Sequence, residues 1–365
     1  MTREELQTLA DNSLEGIVPS PEVCEQLLTD PDIELPALID AAYKVRKHFK
    51  NKDVTVHILN NAQSGHCPED CGYCSQAKTS DAEIVEYPLK KEEEILEEAR
   101  LAHAGGAFRY CMVYAGTGAS QTRVNKLASI IKSIKEKYPI EVCVSTGILS
   151  DEQTHTLKDA GLDRLNHNLN TSEEFYPEIC TTHTYQDRVN TLKSAHAAGL
   201  EVCSGMIIGM GESAADIVDV AQSLRKFAAP SIPINFLVPI PGNRISEPIG
   251  LTPEFCLRVL AMFRFVNPTA EIRAGAGREG HLRGLEAMAL YAADSLFLDG
   301  YLTTRGSSRT RTLRLIRDAG FNIVSEHDLD DLLEREGETD PFEPNPDASD
   351  KGMMKSLEEM RPAKV

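Results

Sequence analysis

The stretch that decides the fold runs from Val54-Thr-Val-His-Ile-Leu59, through the loop Gly65-His-Cys-Pro-Glu-Asp-Cys-Gly-Tyr-Cys-Ser-Gln76, to the charged amphipathic segment Glu92–His103. It reads as strand, loop and helix, and Gly105-Gly106 stops the helix where a left-handed residue is needed. The same unit then recurs. Phe108–Tyr114 precedes Val124–Lys137, which stops before Pro139, and Ile140–Ser145 precedes Asp151–Asp159, closed by Gly161. Leu165–Leu169 leads to Tyr185–Ala198 and Gly199, and Glu201–Ile208 to Ala214–Phe227. Ile234–Val238, Glu271–Ala274 and Ser295–Leu298 are followed by Pro253–Phe265, Gly280–Ala292 and Thr310–Asp318. Ser150 and Thr252 stand where N-caps are expected. Eight strand–helix pairs in succession imply a parallel sheet. The fold class predicted is α/β, a (β/α)8 TIM-type barrel, with an open doubly wound sheet as the alternative that periodicity cannot separate.

Around this barrel (residues 51–325) the sequence places two additions. Residues 1–50 carry helical patterns at Pro21–Thr29 and Leu35–His48, an N-terminal helical cap expected over one barrel end. Residues 326–365 hold 13 acids against 5 bases, with Pro341, Pro344 and Pro346 interleaved, and read as an acidic, disordered tail. The 365 residues suit one barrel of about 250 residues with such extensions. A formal charge of −18 argues against nucleic acid as a partner, because phosphate binding needs clustered positive charge. Apolar runs such as Ile232–Ile240 are far shorter than the roughly 20 residues of a membrane span. Met1-Thr-Arg-Glu-Glu5 lacks an apolar h-region, so secretion is not expected. Nine cysteines in that setting point to a reducing cytoplasm and to metal or catalytic thiols.

Cys67, Cys71 and Cys74 follow the spacing C-x3-C-x2-C, which presents three thiolates on one loop. Structural zinc takes four protein ligands, whereas an iron–sulfur cube held by three cysteines keeps one iron open for a small molecule. The strands hold a second set. Parallel strands buried on both faces should be nearly continuous apolar runs, yet six successive ones carry Cys111, Cys143, Asn168, Cys203, Asn235 and Arg273. Arg109 shares a strand face with Cys111 by the two-residue period. In a closed sheet these side chains converge, and three thiols with an arginine make a second candidate metal site of iron–sulfur or zinc type. On spacing alone the arginine is a counter-ion for the thiolates, and a barrel core filled with small cysteines is the plainer alternative. Cys24 and Cys256 read as buried inert thiols, and Cys180, in a loop after Tyr176-Pro-Glu-Ile179, as structural for want of a partner motif. Gly275-Ala-Gly-Arg-Glu-Gly280 matches a dinucleotide fingerprint, with Asp299 beyond it, but it falls in the seventh unit of a barrel and is set aside.

The cysteine loop resembles that of the radical S-adenosylmethionine enzymes, and Gly65–Gln76 is similar specifically to the biotin synthase family. The resemblance runs from about residue 50 to 320, through Arg109-Tyr-Cys-Met112, Asn166-His-Asn-Leu-Asn-Thr171, Val202-Cys-Ser-Gly205, Pro233-Ile-Asn235 and Arg273-Ala-Gly-Ala-Gly-Arg278. It implies a [4Fe–4S] cluster on Cys67, Cys71 and Cys74 that binds S-adenosylmethionine and generates a 5′-deoxyadenosyl radical. It implies a [2Fe–2S] cluster on Cys111, Cys143, Cys203 and Arg273, with the arginine as a true ligand, supplying sulfur to dethiobiotin. Tyr73, Asn168, Asn170, Gly205, Ile207 and Gly209 would contact S-adenosylmethionine, the last three within Gly205-x-Ile207-x-Gly209-x-x-Glu212. Asn168, Asn235, Thr303 and Thr304 would contact dethiobiotin. Many relatives carry Asp where this chain has Asn170, which keeps an acceptor oxygen but loses the charge. A flavodoxin- or ferredoxin-like electron donor and a homodimer are further implications. The alternatives are a hydrogenase-maturation or mutase relative, which would not need the second ligand set, and a non-enzymatic cluster- or zinc-binding scaffold.

Overall fold

A computed structural model describes residues 1–304 and 306–336. The chain opens with helices α1 (Arg3–Leu14), α2 (Pro21–Thr29) and α3 (Leu35–Lys50). The alternation then begins with β1 (Asp53–Gln63), α4 (Glu92–Ala104), β2 (Arg109–Tyr114), α5 (Gln121–Lys137), β3 (Glu141–Ser145) and α6 (Asp151–Asp159). It continues through β4 (Arg164–Asn166), the short α7 (Tyr176–Ile179), α8 (Tyr185–Ala197), β5 (Glu201–Cys203), β6 (Met206–Ile208) and α9 (Ala214–Lys226). Next come β7 (Ser231–Phe236), α10 (Pro253–Val266), β8 (Glu271–Ala274), α11 (Arg278–Leu282), a 3₁₀ helix (Arg283–Tyr291) and β9 (Ser295–Leu298). Helix α12 (Arg309–Asp318), β10 (Asn322–Ile323) and α13 (Leu329–Arg335) complete the described chain.

The sheet closes. β1 pairs in parallel with β2 on one side and with β9 on the other, and every neighbouring pair between them is parallel. β5 and β6 are two halves of one barrel strand, both paired to β7, so eight strand positions make the barrel. The break falls at Ser204-Gly205. A Cβ on Gly205 would stand 1.8 Å from the Pro233 carbonyl oxygen, so only glycine lets β7 approach there. Helices cover the barrel with one apolar stripe each, as in α5, whose Val124, Leu127, Ile130, Ile131 and Ile134 are buried.

Helix α10 is buried all round, from Cys256 to Val266, because it is covered on both sides. The barrel lies inside it, and α2 and α3 pack against it from outside, with α2 also on α9, α3 also on the 3₁₀ helix and α1 mainly on α3. The N-terminal helices thus form a layer against α10. Ser150 and Thr252 cap α6 and α10, each accepting from the backbone N–H three residues on. The helix expected over Gly280–Ala292 is divided, because Arg283 turns to φ +51° and the chain resumes as 3₁₀ helix. The acidic segment expected to be disordered from Glu326 begins with an ordered helix. Leu329, Leu332 and Leu333 bury one side of α13, and its acids face outward; residues 337–365 lie outside the described residues.

Candidate active site at the C-terminal end of the barrel

The loop after β1 is closed by Gly65 N–H donating to Gln76 Oε1 at 2.9 Å, and a turn links Cys74 N to Cys71 O at 3.0 Å. Neighbouring segments pin it. Gly72 N donates to Ile179 O, and Ile245 N to Gly72 O, both at 2.8 Å, while Asn243 Nδ2 reaches Tyr73 O at 3.0 Å. Two acids inside the cysteine motif do the rest. Asp70 Oδ1 accepts from Thr181 N at 2.9 Å and Thr182 N at 3.2 Å, and Glu69 Oε2 meets His183 Nδ1 at 2.6 Å. Burial opposes ionisation of Asp70, but the Thr181 hydroxyl and amide, Cys180 and Thr182 hold its carboxyl well below the usual range. The x positions of C-x3-C-x2-C thus brace the loop onto the segment after α7.

That segment contains Cys180, read from sequence as a structural thiol without a partner motif. In the structure Cys180 Sγ lies 3.7 Å from Cys71 Sγ and 3.2 Å from His183 Nδ1. Cys71, Cys180 and His183 bring their donor atoms within 4.8 Å of one another. All nine cysteines are free.

Deeper in the barrel, Cys111, Cys143 and Cys203 cluster together with Leu59 against them. Cys143 shares hydrogen bonds with both neighbours, which raises its own thiol and, opposed by burial and aided by the Arg273 charge, lowers Cys111 and Cys203. Arg273 Nη1 stands 3.8 Å from Cys203 Sγ, with Nε on Ser295 Oγ at 2.9 Å and Nη2 on Ser231 Oγ at 3.0 Å. Below it Glu271 gathers the charges: Arg109 Nη1 at 3.3 Å, Arg164 Nη1 at 3.2 Å, and Arg273 and His57 beside it. Despite burial, Arg109 and Arg273 hold the Glu271 carboxyl well below its ordinary range, and burial with Arg273 keeps His57 neutral. Arg109, paired to Glu141 Oε2 through Nε at 2.9 Å, belongs to this underpinning.

Both thiol sets, with Arg273, wall one cavity of about 280 Å³. The six polar exceptions of successive strands all reach it. Tyr73, Asn168, Asn170, Ile207, Asn235, Thr303 and Thr304 line it too. Asn168 Oδ1 accepts from Gly205 N at 3.1 Å. Asn170 has a left-handed φ of +72°, a conformation asparagine and aspartate tolerate better than most residues, and its Nδ2 donates to Tyr73 Oη at 2.6 Å. Asn235 Oδ1 accepts from Ala276 N at 2.9 Å, and its Nδ2 makes a long 3.4 Å contact with Met206 O. Thr303 Oγ1 is 2.9 Å from Ser75 Oγ, and Thr304 Oγ1 donates to Tyr301 O at 2.7 Å. Gly205 and Gly209 are not among the lining residues. Gly209 N donates to Glu212 Oε1 at 2.6 Å and Met210 N to Oε2 at 2.8 Å, so this pair shapes the loop after β6.

Sequence reasoning missed three cavity residues. Arg188 bonds Asn168 O at 2.9 Å and His183 Nε2 at 3.0 Å, placing a half-buried cation at the cavity wall between them. His167, kept neutral by burial and by Arg188, has an unpartnered Nε2 among the described residues. His183 is the third. Arg188 lies one turn into α8, where periodicity marks only an amphipathic helix. The glycine-rich decoy resolves as packing: a Cβ on Gly275 would lie 2.3 Å from Asn235 Oδ1, and Arg278 is buried against Glu286 and the Phe297 carbonyl.

The donor chemistry fits iron–sulfur ligation, with three sulfurs on a loop open to a cavity, and three buried sulfurs with one guanidinium nitrogen below it. Residues 63–224 match the Radical SAM superfamily, and residues 233–322 match the Biotin and Thiamin Synthesis associated domain. The hydrogenase maturase HydG from Carboxydothermus hydrogenoformans and a methylornithine synthase share the fold, each with TM-score 0.73 at 19% identity over 88% of this chain, covering 79% and 98% of theirs. Fold and cysteine loop together define a barrel enzyme of the radical S-adenosylmethionine class.

A biotin synthase from Acaryochloris marina is 57% identical over 303 residues, 83% of this chain and 88% of its own. Those of Magnetococcus marinus and Bacillus subtilis are 52% and 44% identical, over 86% and 88% of this chain and 98% and 96% of theirs. The chain belongs to the biotin synthase family. It is a radical sulfurtransferase acting on dethiobiotin and S-adenosylmethionine, with a [4Fe–4S] and a [2Fe–2S] cluster as its cofactors. Among the described residues no helix is long and apolar enough to cross a membrane.

Proposed function

We propose that Cys67, Cys71 and Cys74 hold the [4Fe–4S] cluster, that Cys111, Cys143, Cys203 and Arg273 hold the [2Fe–2S] cluster, and that S-adenosylmethionine and dethiobiotin occupy the space between. One observation carries this reading: a single cavity is walled by both donor sets. When bound, the loop cluster supplies the electron that splits the sulfonium into methionine and a 5′-deoxyadenosyl radical, and the barrel cluster supplies sulfur. The chain's own residues orient the two substrates and keep water out. The carbons to be attacked have no acidic proton, so no side chain acts as a base towards them.

Asn170 gives its Nδ2 to Tyr73, which leaves Oδ1 to accept from a ribose hydroxyl without the charge of an aspartate. Asn168 stands beside it and reaches both substrates. Arg188, a fixed cation beside them, suits the carboxylate of the methionyl group. Gly205, Ile207 and Gly209 form the adenine side, Ile207 through its side chain and the glycines through backbone shape. Asn235 Nδ2, held among the described residues by a long 3.4 Å contact, turns to the ureido carbonyl of dethiobiotin, and the Thr303 and Thr304 hydroxyls take its carboxylate. The protein works in the cytoplasm as a homodimer and takes electrons from a flavodoxin- or ferredoxin-like donor. Nine unpaired thiols support a reducing compartment.

Anaerobic incubation of protein carrying both clusters with reductant, S-adenosylmethionine and dethiobiotin tests the reading. Deoxyadenosine and biotin are the expected products. Absence of both would sink it.

A further inference from the structure

Ser75, Thr303 and Thr304 are all buried, and each borders the cavity. Thr304 Oγ1 donates its proton to Tyr301 O at 2.7 Å. Ser75 Oγ and Thr303 Oγ1 stand 2.9 Å apart, across 228 positions of chain. A hydroxyl has one proton and two lone pairs. One proton of this pair therefore lies between the two oxygens and the other is left over, whichever oxygen is the donor. Neither segment needs the contact for its own shape. Gly65 N on Gln76 Oε1 at 2.9 Å and Ala77 N on Cys74 O at 3.1 Å already close the cysteine loop. Tyr301 and Thr304 exchange two backbone bonds, at 3.0 and 2.8 Å, which close the turn that carries Thr303.

We propose that Ser75 is a further substrate-binding residue, whose hydroxyl donates to the carboxylate of dethiobiotin beside Thr303 and selects a charged tail over a neutral one. The inference deepens the reading that Thr303 and Thr304 take that carboxylate, and it rests on it. A carboxylate only accepts, so its site must supply protons. Thr304 can supply one only by giving up Tyr301 O, whereas Ser75 and Thr303 have one to offer at once and a second when their mutual bond opens. That exchange replaces one bond between neutral groups by two to charged oxygens, each about twice as strong. An alcohol tail offers no such gain.

Anaerobic equilibrium dialysis of labelled dethiobiotin tests this, using the full chain with both clusters loaded, S-adenosylmethionine present and reductant omitted so that nothing turns over. Ser75→Ala is expected to weaken dethiobiotin binding about tenfold, the loss of one hydrogen bond to a charged group. The analogue with a primary alcohol in place of the carboxylate should stay within about threefold of its parental affinity. Iron should remain at the parental count. In a Thr303→Val background Ser75→Ala should again weaken the acid, because Ser75 donates in its own right. No further loss in that background would make Ser75 a prop for Thr303 and overturn the proposal. Parental affinity in Ser75→Ala, or equal losses for acid and alcohol, also overturns it. So does loss of iron from Ser75→Ala, because the hydroxyl would then serve the loop. Thr303→Val alone separates the two layers. If it weakens the acid selectively while Ser75→Ala is silent, the proposal fails and the placement of the carboxylate stands; if neither variant does so, both fail.

Discussion

The ring of His281 is buried beside the end of β7, where Nε2 donates to Leu237 O at 2.8 Å and Nδ1 has no partner among the described residues. Burial lowers its pKa, against a small opposing contribution from the Leu237 carbonyl. In the unfolded chain a histidine titrates near about 6.5. As pH falls below that value the unfolded state takes up a proton that the folded state refuses, so folding stability is lost on the acid side. His281→Gln, which keeps a donor for Leu237, should flatten the fall in thermal stability between about pH 6.5 and 5. An unchanged acid slope would show that His281 is not its source. At this scale Cys67, Cys71 and Cys74 were legible because their spacing is itself the signal. Cys180 was not, because its partner is 109 positions away in the chain.

The elements show where local pattern ends. β4 stops at Asn166, short of the expected Leu169; the chain stays hydrogen-bonded to the neighbouring strand through a single bridge from Asn170 to Met206, and Asn168 and Asn170 line the cavity. The strand expected at Glu201–Ile208 is broken at Gly205 by the approach of β7. Neither event has a local cause, so neither has a local signature. The N-terminal helical layer rests on a comparable long-range tie. Arg258 of α10 donates through Nη1 to Leu27 O at 3.0 Å and Asp30 O at 3.2 Å, and through Nη2 to Ile33 O. Arg258→Ala leaves three carbonyls without this donor, and the layer should loosen by about 3 kcal/mol, roughly a hundredfold in its open population. Limited proteolysis between α1 and α3 measures this. Cleavage at the parental rate would mean that apolar packing, not Arg258, holds the layer.

For the whole molecule, closure of the barrel matters most. It brings Cys111, Cys143 and Cys203 from three strands to one point and aligns Arg273 with them from a fourth. The loop thiols reach the same cavity from its rim, so the two ligand sets are joined only through space. Cys143→Ser should therefore leave the loop cluster in place and stop sulfur insertion, with iron falling from about six to about four per chain. Loss of all iron would show that the two sites are not independent.

By itself the sequence determined the alternation of strands and helices, the loop ligand motif and the presence of polar residues where buried strands should be apolar. Those are local properties of spacing and residue type. Only the tertiary structure decided that the sheet closes, that α1 to α3 lie beside α10, that Glu271 underpins Arg273, that Arg188 lines the cavity and that Cys180 touches Cys71. Each of these depends on contacts between residues far apart in the chain, and periodicity along one strand or helix carries no information about which distant face it will meet.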